Sequence, residues 1–399
     1  MAKVITTELQ HSGASAANIT LDSSKNVTCE NNLTVDGATT LTGTVTGDNN
    51  TLSFRNKIIN GSMQIRQRGT SFTANGYTLD RWSWNASNDG ASAITHTTTA
   101  PPGFGNSLKV DTTTADTSIA AGQFAQLNYK LEAQNLQDFA FGTSSAKSIT
   151  LSFWVRSNKT GDYNFAIRQI DNSSKQVSSV YTINSADTWE KKTFTYAGDT
   201  SGVIDNNSGQ GLQISWNLAI GSTYTGGTAR STWTTYANAD FGAGHSVNLM
   251  DNTANEWLLS GVQLEVGSTA TDFEHIPYAD ELARCQRYCW VSTYISGAFL
   301  GMGTSWNSDS VGGVIHLPVP MRADPSITFS SGNDFESTMV FSNTDTLSGG
   351  MSRPYSSAPP FSEFGWRGIN SGAFTTGQAV ILRYKDGQTD GKITAEAEL

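Results

Sequence analysis

Residues that could perform chemistry are few and scattered in this chain of 399 residues. Neither the G-x-S-x-G motif of a nucleophile elbow nor the H-E-x-x-H motif of a zinc site is present. Glycoside hydrolysis needs only two carboxylates, and pairs such as Asp199 and Asp205 leave that reaction open. The histidines stand singly, which favours surface or structural roles: His11, His96, His245, His275 and His316. Binding without catalysis is therefore the favoured class of function.

Aromatic residues in polar, Gly-rich surroundings are better candidates for ligand contact. One such segment, residues 221–245, holds Tyr224, Trp233 and Tyr236. Aromatic rings stack on the apolar faces of sugars, while amide and carboxylate oxygens bond the hydroxyls. The same rings could instead pin the loop to the domain beneath it, and the two interpretations are equally weighted.

A second aromatic-rich segment covers residues 332–376. Phe335, Tyr355 and Trp366 lie there among Ser, Gly, Pro and Asn. Loops on a rigid scaffold often carry binding, and aromatic residues dominate binding hot spots, so we expect receptor contact here. A subunit interface requires the same residue types and is the alternative.

The cysteines indicate neither a disulfide framework nor a metal centre. Their count is three, and Cys29 is far in sequence from the other two. Cys285 and Cys289, at i and i+4, could in principle present two metal ligands, but no second Cys or His pair accompanies them. We interpret both as small apolar residues in a helix-to-sheet contact and predict no metal and no cofactor.

Composition excludes several classes of function. The net charge of −10 is opposite to that of a nucleic-acid-binding surface, so no nucleic-acid partner is expected. No apolar stretch reaches membrane-spanning length, and the opening MAKVITTELQ lacks the apolar core of a signal peptide. We therefore expect neither membrane insertion nor secretion by the usual route. Abundant Ser, Thr, Asn and Gly favour many short strands joined by polar turns.

The middle of the chain alternates in the manner of β-strands. The clearest predicted strands cover residues 149–155, 163–170, 189–196, 212–220 and 257–264. Polar turn sequences separate them, and no helical segment does, which excludes parallel βαβ units. Two antiparallel sheets packed face to face are therefore predicted.

One helix is predicted, near residues 278–290. Pro277 suits a first turn, and the apolar period then changes to three and four. The residues that would share one helical face are Tyr278, Leu282, Cys285 and Cys289. The helix closes one domain, and a strand-rich region begins at residue 291.

The same stretch carries a resemblance to a known family. GVQLEVG, then TDFEH, then a helix ending in CQRY, resembles the closing signature of a domain of bacteriophage tail-fibre and receptor-binding proteins. A matching opening, NKIINGSMQIRQRGTSFTANGYTLDRW, occupies residues 56–82. The resemblance covers residues 54–290 and implies a jelly roll like those of carbohydrate-binding modules and a sugar-facing role, with no catalytic motif. VIHLPVP followed by MRADPSITF, from residue 314, resembles a terminal domain of the same family.

Residues 1–50 contain no aromatic residue and cannot bury a globular core alone. Their repeated pairs resemble the β-structured stalks of trimeric phage fibres, with a disordered linker as the alternative. The pairs are Ile19-Thr20, Val27-Thr28, Leu33-Thr34, Leu41-Thr42 and Val45-Thr46.

Two tertiary contacts are also predicted. Arg66, Arg68, Asp80 and Arg81 could serve a ligand, but they are interpreted as supplying a buried or half-buried Arg–Asp pair that ties the first strand's loop to the sheet. Residues 379–384, the turn Asp386-Gly387 and the terminal ITAEAEL are interpreted as a closing hairpin, with the chain end inside a sheet.

These observations predict an all-β protein. It has a trimeric β-structured N-terminal stalk (residues 1–50), a jelly-roll β-sandwich (51–290), a C-terminal β-sandwich tip (291–399) and one short helix. The resemblance implies a homotrimeric phage tail fibre in the virion, attached through its N-terminus to tail adaptor or nozzle proteins. Outside the host cell it would adsorb to a bacterial surface glycan or lipopolysaccharide without cleaving it. A glycan depolymerase and a purely structural virion spacer are the alternatives.

Overall fold

The computed structural model describes residues 54–171, 174–339, 344–387 and 391–399, together with three short strands nearer the N-terminus. The chain divides into two compact units, Met1–Gly47 and Asp48–Leu399. In the first unit, antiparallel pairing joins β1 (Glu8–Leu9), β2 (Ile19–Leu21) and β3 (Val27–Cys29). The predicted pairs at 19–20 and 27–28 lie on these strands, whereas those from residue 33 onward are outside the described residues. The trimeric stalk stays a prediction.

The second unit begins with a two-sheet sandwich. Its strands are β4 (Ser71–Phe72), β5 (Gly76–Tyr77), β6 (Trp82–Ala86), β7 (Ala91–Thr97), β8 (Ser107–Thr114), β9 (Phe124–Glu132), β10 (Ile149–Ser157), β11 (Gly161–Gln169), β12 (Lys175–Ile183), β13 (Glu190–Tyr196), β14 (Gln210–Ile220), β15 (Thr234–Thr235) and β16 (Glu256–Val266). One sheet has the order β13-β10-β16-β8-β7-β4, and the other β15-β12-β11-β14-β9-β6-β5. All pairings are antiparallel, and each of the five predicted strands overlaps an observed one. The predicted all-β sandwich is confirmed.

The core lies between these sheets because alternate residues of each strand point inward. The Trp216 ring of β14 lies 5.6 Å from that of Trp82 on the same sheet. It also lies 5.8 Å from the ring of Phe153 on the opposite sheet. All three side chains are fully buried. The other face of the seven-stranded sheet points away from this core and carries polar side chains.

Helices are short in the described residues. They are α1 (Asn238–Phe241), α2 (Tyr278–Gln286) and the 3-10 turns Ala133–Phe139, Leu249–Asp251 and Gly332–Asp334. The start of α2 directly after Pro277 confirms the predicted helix, but its predicted extension toward residue 290 is wrong, since Cys289 begins β17 (Cys289–Val291). No described helix has the length and apolarity to cross a membrane.

Cys285 and Cys289 are both packed in the interior. Cys285 contacts Ile59, Ile65 and Tyr288 in a small cluster beneath α2. Cys285 and Cys289 are free thiols, and burial raises the pKa of each. The described residues contain no group of His, Cys, Asp and Glu that could hold a metal ion.

The rest of the chain forms two further sheets around a second core. The strands are β18 (Phe299–Ser305), β19 (Ser310–His316), β20 (Ser326–Phe329), β21 (Phe335–Met339), β22 (Thr344–Thr346), β23 (Gly350–Ser352), β24 (Glu363–Ile369), β25 (Ala379–Tyr384) and β26 (Ile393–Glu396). One sheet has the order β17-β26-β20, and the other β22-β21-β25-β18-β19-β24-β23. The predicted closing hairpin is wrong, because β25 pairs with β18 and β21. The chain end is nevertheless inside a sheet, with β26 between β17 and β20.

A cluster of charges, buried except for Glu396, joins the chain end to the first loops of the sandwich, and we call it the charged junction: Arg68, Arg81, Glu396 and Glu398. Glu398 accepts a hydrogen bond from Arg68 Nη2 at 2.9 Å and another from Arg81 Nη1. Glu396 accepts from Arg68 Nε at 2.9 Å. The Arg81 guanidinium also stacks 3.5 Å from the centre of the Tyr288 ring.

The predicted Arg–Asp pair is therefore wrong in its acidic member, because Arg68 and Arg81 both meet Glu398. Asp80 is buried, but its carboxylate accepts from the backbone N of Gln67 at 2.7 Å and from the Gln67 side chain at 2.6 Å. Successive residues on a bend point in different directions, so Arg81, at φ 72°, turns toward the chain end. The loop is tied down as expected, with Glu398 as the counter-charge.

Candidate functional site

The outer face of the seven-stranded sandwich sheet carries a row of amide side chains. Asn164 of β11, Asn217 of β14, Gln126 of β9 and Asn85 of β6 are successive cross-strand neighbours. Residues opposite each other in antiparallel register point to the same face. Asn217 Nδ2 donates to Asn164 Oδ1 at 2.9 Å. Asn164 and Asn217 are fully buried, whereas Gln126 and Asn85 line a cavity. Because an amide has both donors and an acceptor, this end of the row can bond the hydroxyls of a ligand.

Residues 221–245 fold over one end of this face. Phe241 is only 5% exposed and anchors the segment on β11 and β14. Beside it, Asp240 accepts hydrogen bonds from Arg230 Nε at 2.8 Å and Thr228 N at 2.9 Å. These bonds lower the pKa of the Asp240 carboxyl, with the Arg230 bond as the largest cause. The loop is thus held by the packing of Phe241 on the sheet and by the hydrogen bonds of Asp240 inside the loop.

Aromatic rings line the space between this loop and the amide row. The rings of Tyr224 and Tyr236 are half-buried and lie 6.4 Å and 6.1 Å from the Phe241 ring. Phe124 of β9 meets Tyr224 at 6.2 Å. We call the resulting cavity, of about 240 Å³, the polar-aromatic groove, and it is lined by Asn85, Phe124, Gln126, Arg168, Gln213, Ile220, Tyr224, Tyr236 and Phe241.

Arg168 is the one charged side chain among these lining residues. Its Cζ atom lies 3.8 Å from the centre of the Tyr236 ring. Its Nε is buried and has no hydrogen-bond partner among the described residues. Burial lowers the pKa of the guanidinium, and Tyr236 acts in the opposite direction. No described carboxylate lies within salt-bridge distance.

The three aromatic residues predicted as ligand contacts in the loop therefore do not lie together. Tyr224 and Tyr236 come together in the groove, whereas Trp233 lies outside it. Trp233 Nε1 donates to the Ala197 carbonyl at 3.0 Å, and its ring meets Phe141 edge-on at 5.4 Å. Trp233 thus pins the loop, which was the alternative interpretation for these rings.

The three C-terminal candidates also differ from one another, in their exposure to solvent. Phe335 and Trp366 are fully buried in the second core, on β21 and β24. Neither has an exposed face, so the expected receptor contact is corrected at both positions. Tyr355 is 75% exposed and stays a candidate.

Sequence reasoning missed four polar members of the groove: Asn85, Gln126, Arg168 and Gln213. The available signal was alternation on strands whose other residues are apolar. In FAQLNYKLE of β9, for example, Gln126 and Asn128 alternate with Leu127 and Tyr129. A polar face on a strand of a large sandwich indicates an uncovered sheet surface.

A larger cavity, of about 710 Å³, lies between α2 and the first C-terminal strands. Its lining includes Arg66, Leu282, Tyr278 and Trp290. Tyr278 is 59% exposed. This cavity lacks the combination of clustered rings and an amide row, so we treat it as the alternative site.

Comparison with known proteins gives distant likenesses only. No protein-family model and no curated protein sequence matches the chain. Among solved structures, the enzymatically active domain of bacteriophage CBA120 tailspike protein 4 is 13% identical, with a TM-score of 0.30, over 53% of this chain and 21% of that chain.

Carbohydrate-binding modules are also among the matches. The family 11 module of Clostridium thermocellum cellulase Lic26A-Cel5E is 10% identical, with a TM-score of 0.28, over 50% of this chain and 96% of that one. The CBM22-1 xylan-binding domain of Paenibacillus barcinonensis Xyn10C is 13% identical, with a TM-score of 0.23, over 50% of this chain and 94% of that one. At these values the likeness does not carry any residue's role to this chain.

Proposed function

We propose that this protein is a phage tail fibre that adsorbs to a bacterial surface glycan through the polar-aromatic groove, without cleaving it. The observation that carries the proposal is that two half-exposed tyrosine rings, Tyr224 and Tyr236, line one cavity with the amides of Asn85, Gln126 and Gln213. A sugar ring has an apolar face that stacks on an aromatic ring and an edge of hydroxyls that bond to amides. The groove offers both surfaces within one cavity.

Binding without cleavage is supported by the chemistry of the groove. Glycoside hydrolysis usually needs two carboxylates that flank the scissile bond. None of the described residues that line the groove is Asp or Glu. The carboxylates considered from the sequence are elsewhere: Asp199 binds Lys175 at 2.8 Å, and Asp205 N donates to Asp171.

The remaining parts of the proposal concern assembly. The repeats of residues 1–50 would form a trimeric stalk and attach the fibre to a tail adaptor or nozzle protein in the virion. Three weak glycan sites on one fibre raise the overall affinity through effective concentration. Light scattering of the full chain at micromolar concentration should give the mass of a trimer, and a monomer would overturn this part.

Three tyrosine variants of the full chain locate the site. Tyr236→Ala removes a ring of the groove, Tyr355→Ala the exposed C-terminal ring, and Tyr278→Ala a ring of the larger cavity. Binding is measured on a panel of purified bacterial lipopolysaccharides and capsular polysaccharides. We expect Tyr236→Ala to weaken binding by roughly 1–3 kcal/mol, the usual effect of truncating an aromatic anchor, and the other two to bind like wild type.

The possible outcomes are distinct. Loss confined to Tyr355→Ala or Tyr278→Ala would move the site away from the groove. Binding by the wild type to no glycan of the panel would overturn the function. Release of reducing sugar by the wild type would favour a depolymerase.

A further inference from the structure

The groove holds a positive charge that the described chain does not neutralise. Two other arginines of the sandwich that stack or pack against its interior have carboxylate partners: Arg81 meets Glu398, and Arg287 Nη2 lies 2.7 Å from Glu132 Oε1. Arg168 has none among the described residues, although burial has removed part of its hydration. A cation removed from water without a partner is costly, so its retention calls for a reason.

The position of Arg168 fits contact with a ligand. It lies opposite Gln213 in the register of β11 and β14, on the face that carries the amide row. Stacking on Tyr236 at 3.8 Å fixes the plane of the guanidinium. The edge of a guanidinium offers two parallel N–H donors, which match two oxygens of an acidic group.

We infer that the glycan bound in the groove carries an acidic group, a hexuronate carboxylate or a phosphodiester, and that the Arg168 guanidinium binds it. This inference rests on the proposed function and names the class of glycan. Tyr236 would stack on the same sugar, and Gln213 would bond its hydroxyls. Since the protein's net charge of −10 opposes the approach of anions, a local cation is needed at the point of contact.

Matched polysaccharides test the inference with the full-length protein. The panel holds acidic bacterial polysaccharides in native form, after reduction of carboxyls to primary alcohols, and after removal of phosphate with hydrofluoric acid, beside neutral polysaccharides. Wild type should bind a native acidic form about 10-fold or more tightly than the form that lacks the acid. The treatment that removes the preference identifies carboxylate or phosphate as the bound group.

Substitutions then assign the preference to Arg168. Arg168→Gln should abolish the difference between native and neutral forms while the weaker binding of the neutral form persists. Arg168→Lys keeps the positive charge but lacks the two parallel N–H donors of a guanidinium. It should retain part of the preference for the native acidic form. The control is Arg156→Gln, on the opposite sheet, where Arg156 already pairs with Asp187 at 2.9 Å, and its preference should equal that of wild type.

Three results would overturn the inference. If wild type binds native and neutral forms equally, the acidic class is wrong and the proposed function stands. If Arg168→Gln weakens binding to both forms equally, Arg168 only positions Tyr236, and again the proposed function stands. If wild type binds no polysaccharide of the panel, both the inference and the proposed function fail.

Discussion

Two arginines of the sandwich stack on tyrosine rings yet differ in what surrounds them. Arg81 is 1% exposed, lies 3.5 Å from the centre of the Tyr288 ring and meets the carboxylate of Glu398. Arg168 is half-buried, lies 3.8 Å from the centre of the Tyr236 ring and meets no described carboxylate. In the charged junction the chain supplies its own anion and uses the pair to hold its last residues. In the groove the anion is left for a ligand to supply.

This contrast explains how one residue type serves structure in one place and recognition in another. Charge and stacking are common to both sites, so neither feature alone identifies function. What separates them is the source of the counter-charge.

Glu398→Gln tests the charged junction and carries the largest expected effect. Its carboxylate is the partner of both Arg68 and Arg81. Removing one partner of a buried ion pair costs roughly 3–5 kcal/mol, so the free energy of unfolding in denaturant should fall by that amount. The matched control is Glu396→Gln, because Glu396 binds the same Arg68 with a side chain that is 43% exposed. Its loss should stay below about 1 kcal/mol, and equal losses in the two variants would contradict the junction's role.

Acid should destabilise the protein through His245, in the loop of residues 221–245. His245 ends this loop; its Nδ1 accepts from Asn164 N at 3.2 Å, and burial lowers its pKa from 6.5 to about 4. As pH falls, the unfolded chain binds a proton on this ring before the folded chain does. The stability contributed by neutral His245 is therefore complete above pH 6.5 and is lost on descent toward about pH 4. The loss should be at most roughly 3 kcal/mol.

The measurement is the free energy of unfolding across that pH range. His245→Gln cannot gain the proton and should show a flatter pH dependence than wild type. The control is His316→Gln, since the His316 side chain is 80% exposed. A slope in His245→Gln as steep as in wild type would refute the assignment.

Gln126→Ala removes one of the amides that line the groove. Loss of one or two hydrogen bonds to a sugar hydroxyl should weaken glycan binding by about 0.5–1.5 kcal/mol, measured by calorimetric titration. Gln286→Ala, in the larger cavity, is the matched control and should bind like wild type. The reverse pattern would favour the larger cavity.

Arg168→Gln should have the smallest effect on folding. No described carboxylate would lose its partner, so we expect the free energy of unfolding to change by less than about 1 kcal/mol. A loss as large as that of Glu398→Gln would mean that Arg168 is structural and would remove the contrast with Arg81. Thermal or chemical unfolding of Arg168→Gln distinguishes the small loss of stability from the large one.

The sequence predicted the sandwich because strand alternation and polar turns are local signals. Tyr224 and Tyr236 were recognised for a similar reason, since a long Gly-rich loop with aromatics is visible in one segment. Arg168 was missed because its neighbours come from other strands, whose register a single sequence does not reveal. The partner of Arg81 could not be predicted from local sequence, because Glu398 lies 317 positions away.

The C-terminal candidates failed for a different reason. Ser, Gly, Pro and Asn around Phe335 and Trp366 suggested exposed loops. Both residues instead lie on strands, and their rings fill the second core. The strand of Trp366 alternates buried and less buried positions. Glycines allow close packing of strands in this sheet: a side chain at Gly313 would meet the Met302 carbonyl at 2.0 Å. Gly-rich composition therefore marked tight packing here rather than a flexible loop.

The most direct test of the account is a crystal structure of the full chain with a polysaccharide fragment selected by the binding panel. We expect a sugar ring between Tyr224 and Tyr236, with its hydroxyls on the amides of Gln126 and Gln213 and an acidic group at Arg168. A fragment bound beside Tyr355, or in the cavity lined by Tyr278, would contradict the claim that the groove recognises the glycan.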